Sequence, residues 1–236
     1  MNNQKTLVIF DIDGTLLYSN SVDTKAFATT FKNFYNRPIP SIDWKLYPHV
    51  TDTSIFDTMI QNEFGRKPEE EEVHSFRSEF VELIKKNRVS NPEFFLEVAG
   101  AKAIIDKLHT MEEYELGIGT GGWKAPATIK LKHININTNN MFMSFADGHI
   151  AREEILQHSI NQAVAKCGEF KKIVYFGDAK WDVETTRNMN INFIGVRLKG
   201  DKEKLESLGA QHVLENYLNE DLVLSWIEDS VIPKEV

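Results

Sequence analysis

Two carboxylates separated by one residue, Asp11 and Asp13, form the strongest chemical signal in the sequence, and Gly14 follows them directly. They come immediately after the apolar run Leu7–Phe10, which has the length of a buried strand. Ligands of open α/β sheets bind beyond the carboxyl ends of the strands, so we expect Asp11 at a strand tip facing a crevice. There one carboxylate could attack while the other moves a proton. A simple Asp-Gly turn is the alternative for this segment taken alone.

A second pair of acids, Asp178 and Asp182, follows another apolar run, Ile173–Phe176. Carboxylates gathered beside Asp11 would repel one another unless a cation lay among them. Ligands that are all oxygen atoms favour a hard cation, and Mg²⁺ typically takes one or two carboxylates together with phosphate oxygens and water. Capping of the next helix is the alternative, but it explains one acid and not the occurrence of acids at two strand ends.

A third, weaker signal is Thr120-Gly121-Gly122, directly after the apolar run Tyr114–Gly119. A hydroxyl and exposed backbone amides at a strand end can bind a phosphoryl group. A glycine turn explains the same residues equally well.

Strands and helices alternate over most of the chain. Apolar runs predict strands at Leu7–Phe10, Tyr114–Gly119, Met141–Phe145, Ile173–Phe176, Phe193–Val196 and His212–Leu214. Helical patterns occupy Ala101–Met111, Arg152–Lys166, Val183–Met189 and Lys202–Leu208. The alternation predicts an α/β fold with a Rossmann-like parallel sheet and helices on both faces.

The interval from Ser21 to Phe95 contains no strand-like run. It carries three helical patterns instead: Asp23–Tyr35, Ser54–Phe64 and Glu69–Lys86. We therefore predict a helical domain at residues 21–95, inserted into an α/β domain formed by residues 1–20 and 96–236. The polar segment before the second of these helices could reach the crevice, although Thr51 or Asp52 could equally be a helix N-cap.

Together the motifs resemble those of the haloacid dehalogenase superfamily of phosphohydrolases. Asp11–Leu16 resembles its first motif, Thr120 its second, and Asp178 with Asp182 its fourth. The three motifs occur in the family's order and extend over most of the chain. The inserted helices resemble the cap domain of phosphoglycolate-phosphatase-like and β-phosphoglucomutase-like members.

The resemblance implies a role for each matching residue. Asp11 is expected to attack phosphorus and become an aspartyl-phosphate, and Asp13 to protonate the leaving oxygen and then activate water. Thr120 and the Gly121 amide are expected to bind the phosphoryl group. The implied cofactor is Mg²⁺, held by Asp11, the backbone carbonyl of Asp13 and Asp178, with Asp182 in support.

The site also needs a basic residue to offset the acids and to hold phosphate oxygens. The family commonly has a Lys before a Pro in its third motif, whereas no Pro stands beside Arg152. We assign Arg152 to this position because its predicted helix lies between the second and fourth motifs. Lys130 or Lys132 is the alternative.

The composition limits the partners. The chain of 236 residues has a net charge of -8, which argues against a general nucleic-acid surface. No apolar run approaches the roughly 18 residues of a membrane span, and the single cysteine, Cys167, excludes an intramolecular disulfide. We expect a cytoplasmic protein without nucleic-acid or membrane partners. The oligomeric state is left open.

The implied function is a Mg²⁺-dependent phosphatase acting on a small phosphorylated metabolite. A phosphomutase on a sugar phosphate shares every motif and differs in whether water or the sugar takes the phosphoryl group. Haloacid dehalogenases and phosphonoacetaldehyde hydrolases resemble the chain less, because they lack an acid at the position of Asp13. Outside enzymes, the alternative is a catalytically silent binding module on the same fold.

Overall fold

The computed structural model describes residues 5–198 and 200–236. The strands in these residues are β1 (Thr6–Phe10), β2 (Leu17–Tyr18), β3 (Leu96–Glu97), β4 (Tyr114–Gly119), β5 (Phe142–Ser144), β6 (Lys172–Gly177), β7 (Asn192–Val196) and β8 (Val213–Leu214). Six of them form one parallel sheet in the order β5-β4-β1-β6-β7-β8, and β2 and β3 form a separate antiparallel pair.

Helices fill the connections between the strands. In the same residues they are α1 (Asn20–Tyr35), α2 (Asp52–Phe64), α3 (Glu70–Ser90), α4 (Ala101–His109), α5 (Lys124–His133), α6 (Arg152–Cys167), α7 (Lys180–Asn188), α8 (Glu203–Glu206) and α9 (Glu220–Asp229). Two short 3₁₀ helices occur at Trp44–Leu46 and Pro92–Phe95.

The two faces of the sheet are both covered. All five residues of β1 are buried, with Val8 and Phe10 in one apolar cluster and Leu7 and Ile9 in another. This division follows from the alternation of side chains along a strand. The predicted α/β fold, with helices on both faces of a parallel sheet, is confirmed.

The central position of β1 brings three strand ends together. Phe10 of β1 pairs with Ile118 of β4 on one side and with Phe176 of β6 on the other. Because the strands are parallel, their carboxyl ends lie at the same edge of the sheet. Whatever follows β1, β4 and β6 therefore shares one crevice.

The insertion contains α1, α2 and α3 and begins and ends at the β2–β3 pair. Leu17 and Tyr18 of β2 pair with Glu97 and Leu96 of β3, so the two connections to the insertion lie side by side. Two-residue strands carry no readable pattern, and sequence reasoning missed them. The domain boundaries at residues 20, 21, 95 and 96 stay a prediction, and residues 1–4 and 199 of the predicted α/β domain lie outside the described residues.

The insertion has an aromatic core that it shares with the rest of the chain. Phe27, Phe56, Phe76 and Phe80 surround Trp123, which is 1% exposed and directly precedes α5. Aromatic pairs at these distances add to the apolar burial that holds the helices together. The helices therefore pack against the loop that follows β4 as well as against one another.

The predicted strands all occur, with ends that differ by at most two residues. The helices α5 and α9 were missed. In α5, Lys and apolar residues alternate too closely to give a clear apolar stripe, and Pro126 lies in its first turn, where proline is tolerated. The predicted helix at Lys202–Leu208 is shorter in the structure.

Candidate active site

The crevice contains the acids that follow β1 and β6. Asp11 is 4% exposed, and its amide donates to the carbonyl of Phe176 at 2.9 Å, which fixes it at the strand tip. Asp178 follows β6 and is 6% exposed. The predicted convergence of acids from two strand ends is therefore present in the structure.

Gly14 turns the chain away from β1. Its φ is +80°, a left-handed conformation that favours glycine, and its amide donates to the carbonyl of Leu17 at 2.8 Å. A Cβ atom at this position would overlap the carboxylate of Asp178. Glycine is thus required both for the turn and for the close approach of the second acid.

Three buried carboxylates could hold a metal ion. Ligand oxygens of Asp11, Asp178 and Asp182 all lie within 4.8 Å of one another. Burial raises the pKa of Asp11 to about 7, and Arg152 only partly offsets this effect. Burial, with Asp182 and Asp11 adding to it, also raises the pKa of Asp178 well above its usual range. Arg152, and Arg197 at 3.6 Å from Asp178 Oδ2, therefore do not fully offset the burial and mutual repulsion of these acids.

The oxygens of this cluster differ in how far they are engaged. Asp11 Oδ1 is buried and has no hydrogen-bond partner within the described part of the chain. Asp182 Oδ2 accepts from the amides of Asp178 and Ala179 at 3.1 and 3.0 Å. Asp11 and Asp178 thus fit as ligands of a hard cation such as Mg²⁺, and Asp182 fits the supporting position.

Arg152 lies at the centre of the acids. Its Nη2 donates to Asp11 Oδ2 at 3.2 Å, to Asp182 Oδ1 at 2.7 Å and to the Tyr175 hydroxyl at 3.2 Å. The side chain is buried at the start of α6. Of the three basic residues considered for the phosphate, Arg152 is the one that contacts Asp11, while Lys132 is exposed.

Tyr175 was missed by sequence reasoning. Its hydroxyl donates to the Gly119 carbonyl at 3.0 Å and lies 3.3 Å from Asp182 Oδ1. It therefore links the ends of β4 and β6 beneath the guanidinium of Arg152. Aromatic residues are common in strands, so nothing in the run Ile173–Phe176 marked Tyr175 as a residue of the site.

Lys130 contacts Asp13. It comes from α5, is 2% exposed, and its Nζ donates to Asp13 Oδ1 and Oδ2 at 2.6 and 2.8 Å. It also donates to Asp23 of α1, and the Ser19 hydroxyl donates to Asp13. Burial opposes the lysine charge, but Asp13 and Asp23 outweigh it and raise the pKa of Lys130 above its ordinary value.

The Thr120-Gly121-Gly122 turn is packed tightly on one side and open on the other. A Cβ atom at Gly121 would collide with Arg152 and the Val50 carbonyl. A Cβ atom at Gly122 would instead lie 3.8 Å from Thr120 Oγ1, 3.8 Å from Asp52 Oδ2 and 4.0 Å from Asp13 Oδ2. The Gly122 side of the turn therefore faces the crevice between Thr120 and two carboxylates.

The insertion closes over the crevice at the start of α2. The amide of Asp52 donates to the Gly121 carbonyl at 2.8 Å, and Asp52 Oδ2 accepts from the Trp123 amide at 2.9 Å. Thr51 Oγ1 accepts from the Ser54 amide as the N-cap, at 3.2 Å. The sequence allowed this segment to be a helix cap or a part of the crevice, and both occur. Thr51 caps α2, and Asp52 lines the crevice.

The resulting cavity has a volume of about 140 Å³. Its floor consists of Asp11, Asp13, Thr120, Arg152 and Asp178, and its roof comes from the insertion, with Asp23, Phe27, Trp44, Asp52 and Phe80. Concave sites with apolar walls and a few polar groups are typical of small-molecule sites.

Sequence comparison identifies the family. The model of the family described as haloacid dehalogenase-like hydrolase matches residues 8–196. The chain belongs to the haloacid dehalogenase-like hydrolase family. The matched range includes every residue assigned above to the floor of the cavity. No curated protein matches the sequence.

Solved structures share the haloacid dehalogenase-like fold at low identity. A hydrolase from Pseudomonas syringae has a TM-score of 0.67 at 21% identity, covering 94% of this chain and 98% of its own. A β-phosphoglucomutase from Clostridium difficile has a TM-score of 0.67 at 18% identity, covering 94% and 97%. A protein from Clostridium acetobutylicum described as a predicted phosphatase has a TM-score of 0.62 at 18% identity, covering 95% and 99%. At these identities the likeness shows the fold alone.

The structure brings the candidate residues of the motifs together, and their individual roles stay predictions. Asp11, Asp13, Thr120, Gly121, Arg152, Asp178 and Asp182 all lie at the carboxyl edge of the sheet. Within residues 5–198 and 200–236, no helix is long and apolar enough to cross a membrane.

Proposed function

We propose that this hydrolase is a Mg²⁺-dependent phosphatase acting on a small phosphomonoester through an aspartyl-phosphate on Asp11. The observation that carries the proposal is the state of the Asp11 carboxylate. One of its oxygens contacts Arg152, and the other is buried without a partner among the described residues, beside Asp178. Such a group suits a nucleophile that shares its site with a cation.

The reaction would proceed in two displacements. An Asp11 oxygen attacks phosphorus, the bond from phosphorus to the leaving oxygen breaks, and Asp13 gives that oxygen a proton. Water then attacks the phosphorus of the aspartyl-phosphate and gives a proton to Asp13. Inorganic phosphate leaves, Asp11 is regenerated, and the net change is the hydrolysis of one phosphomonoester.

Three groups would bind the phosphoryl oxygens. The Arg152 guanidinium lies beside Asp11, and Thr120 and the Gly121 amide follow the neighbouring strand. A basic side chain and backbone donors at this place stabilise charge on the transferred group.

Asp11, Asp178 and the Asp13 carbonyl would hold Mg²⁺, with Asp182 in support. The bound cation would supply positive charge that neutralises the acids and the phosphate. The buried acids fit this assignment because burial raises the pKa of Asp11 in spite of Arg152, and that of Asp178 in spite of Arg197 and Arg152.

The proposed substrate is small because the insertion roofs the crevice. Asp52 holds the start of α2 against the turn that follows β4: its amide donates to the Gly121 carbonyl at 2.8 Å, and its Oδ2 accepts from the Trp123 amide at 2.9 Å. A closed roof also excludes water other than the attacking molecule.

The experiment that tests this function is phosphate release from p-nitrophenyl phosphate, with Mg²⁺ and after chelation. We expect turnover with Mg²⁺, loss with EDTA and recovery when Mg²⁺ is restored. Asp11→Asn keeps the side-chain shape but removes the attacking anion, so turnover should fall to near background. Asp106→Asn, at a partly exposed position of α4 outside the cavity lining, is the matched control and should retain turnover.

Thermal melting shows whether the Asp11→Asn protein is folded. Full turnover by a folded Asp11→Asn protein would contradict the assignment of Asp11 as the nucleophile. Full turnover after chelation would contradict the proposed requirement for Mg²⁺.

A further inference from the structure

Where the floor of the cavity meets the roof, three carboxyl groups lie near a single lysine. Asp13, Asp23 and Asp52 lie around one lysine, Lys130, which donates to the first two. The positive charge of Lys130 also acts on Asp52, where burial nevertheless raises the pKa to about 6. Burial likewise raises the pKa of Asp23 well above its usual range in spite of Lys130, so a further cation beside Asp23 and Asp52 would stabilise their charged forms.

The basic side chains that line the cavity do not neutralise these carboxyl groups. Among the described residues that line it, Arg152 is the only Lys or Arg, and it is already engaged by Asp11 and Asp182. It lies at the floor, where the phosphoryl group is expected. The roof side therefore has no basic side chain, within the described lining, for a second anionic group of a ligand.

Two further observations indicate a ligand at this place. Asp23 Oδ1 is buried without a hydrogen-bond partner within the described chain. The cavity beside it is lined by the rings of Phe27, Trp44 and Phe80. Carboxylates among aromatic faces favour an ammonium group, which gains both Coulomb attraction and cation–π contact.

We propose that the substrate is a compact phosphomonoester whose leaving group carries a positively charged amine, and that esters with a second anionic group are rejected. This inference rests on the proposed function, since it places the phosphoryl group at Asp11 and the leaving group beneath the roof. Asp52 and Asp23 are then specificity residues. A bisphosphate is disfavoured on the same grounds.

The test uses three esters of nearly equal size that differ in charge. They are phosphoethanolamine, 2-hydroxyethyl phosphate and phosphoglycolate, whose leaving groups are cationic, neutral and anionic. Each competes with p-nitrophenyl phosphate in the presence of Mg²⁺, which yields an inhibition constant whether or not the ester itself is hydrolysed. We expect affinity to fall in the order cationic, neutral, anionic, with about tenfold or more per unit of charge.

Two variants assign the preference to the roof. Asp52→Asn removes one charge at constant shape and should lower the ratio of phosphoethanolamine to phosphoglycolate affinity about tenfold. Asp57→Asn lies on the same helix, outside the cavity lining, and should leave the ratio unchanged. Comparison of these ratios cancels any general loss of folded protein.

The outcomes separate the two proposals. Hydrolysis of p-nitrophenyl phosphate with equal or tighter binding of phosphoglycolate overturns the charge preference and leaves the phosphatase intact. A preference that Asp52→Asn and Asp57→Asn change equally overturns the assignment to the roof. Absence of any hydrolysis with Mg²⁺ overturns the phosphatase, and calorimetric binding of the three esters then tests the charge order.

Discussion

At the scale of single residues, the two acids that follow β1 are paired with different basic residues. Asp11 lies against Arg152, while Asp13 lies against Lys130. Paired carboxylates can take different roles when their surroundings differ. The two basic residues would therefore give the proposed nucleophile and the proposed proton carrier different surroundings, although both acids follow the same strand.

Lys130 is predicted to be a positioning residue for Asp13. Lys130→Met should lower kcat about 10²-fold for an alkyl phosphate, because general acid catalysis is worth about 10²–10⁴-fold. The loss should be smaller for p-nitrophenyl phosphate, whose leaving group needs little protonation, and KM should change little. A loss that is equal for both esters would contradict this role.

The control for this variant is Lys132→Met, an exposed position on the same helix. It should leave both rates unchanged. Removal of one partner from a buried ion pair costs roughly 3–5 kcal/mol, so the melting temperature of Lys130→Met must be measured. Lys130→Arg, which keeps the charge, should recover part of the alkyl phosphate rate.

The metal site can be tested by a measurement that does not depend on enzymatic turnover. Mg²⁺ that binds only the folded state stabilises it by mass action, so the melting temperature should rise with Mg²⁺ concentration. Asp178→Asn removes a proposed ligand and should abolish most of this rise, whereas Asp201→Asn, outside the cluster, should retain it. An equal rise in the Asp178→Asn protein would contradict the assigned ligand.

At the scale of elements, α3 begins with a concentrated set of contacts to Glu72. The Arg66 guanidinium donates to both Glu72 oxygens, at 2.7 and 2.8 Å. The Tyr35 hydroxyl donates at 2.8 Å and the Glu69 amide at 3.0 Å. The Arg66 hydrogen bonds are the main cause that lowers the pKa of Glu72 to about 2. One side chain thus links α1, the α2–α3 connection and the first turn of α3.

The stability of the insertion should depend on pH through this group. A carboxyl group with a lowered folded-state pKa stabilises the fold above its unfolded value near 4.5, and this contribution is lost as pH falls toward about 2. Glu72→Gln should therefore cost on the order of 1 kcal/mol at pH 7 and much less near pH 2. Glu71→Gln, the exposed neighbour, is the control. Denaturant unfolding across this pH range measures both, and a pH-independent difference would contradict the ion pair.

At the scale of the whole molecule, the insertion and the α/β part share an aromatic cluster around Trp123. The Trp123 ring packs on Phe27 and Phe80, and its Nε1 donates to Thr53 at 2.9 Å. The roof is therefore held by apolar contact as well as by the hydrogen bonds of Asp52. The cavity that this arrangement encloses decides which substrates can reach Asp11.

Small esters are predicted to be far better substrates than phosphoproteins. A crevice partly covered by the insertion is expected to admit a metabolite but not a folded protein surface. The measurement is kcat/KM for metabolite phosphates and for phosphorylated proteins with the intact chain. Clear preference for a phosphoprotein would contradict the proposal that the insertion restricts the site to small substrates. Replacement of residues 21–95 by a short linker should raise access for large substrates and weaken selectivity among small ones.

The fold and the floor of the site were predictable from local sequence. Short apolar runs that end in Asp11, Thr120 and Asp178 place these residues at one edge, because parallel strands align their carboxyl ends. This inference needs only the strands and their direction. It does not depend on how the helices are oriented, and for that reason it survives errors in their boundaries.

The roof and the partners of the acids were decided by tertiary structure. Lys130 and Asp23 lie on the faces of two helices, and their contact joins residues more than 100 positions apart in the sequence. Tyr175 lies in the interior of a strand, and its contact with Arg152 likewise depends on how the elements pack. The sequence also left open whether Arg152 or Lys130 is the basic residue beside Asp11, because the answer depends on the positions of α5 and α6. The sequence by itself determined which chemical groups stand at the strand ends, because that is local. Only the tertiary structure decided which charge meets which, because a side chain on a helix finds its partner through the packing of the entire helix.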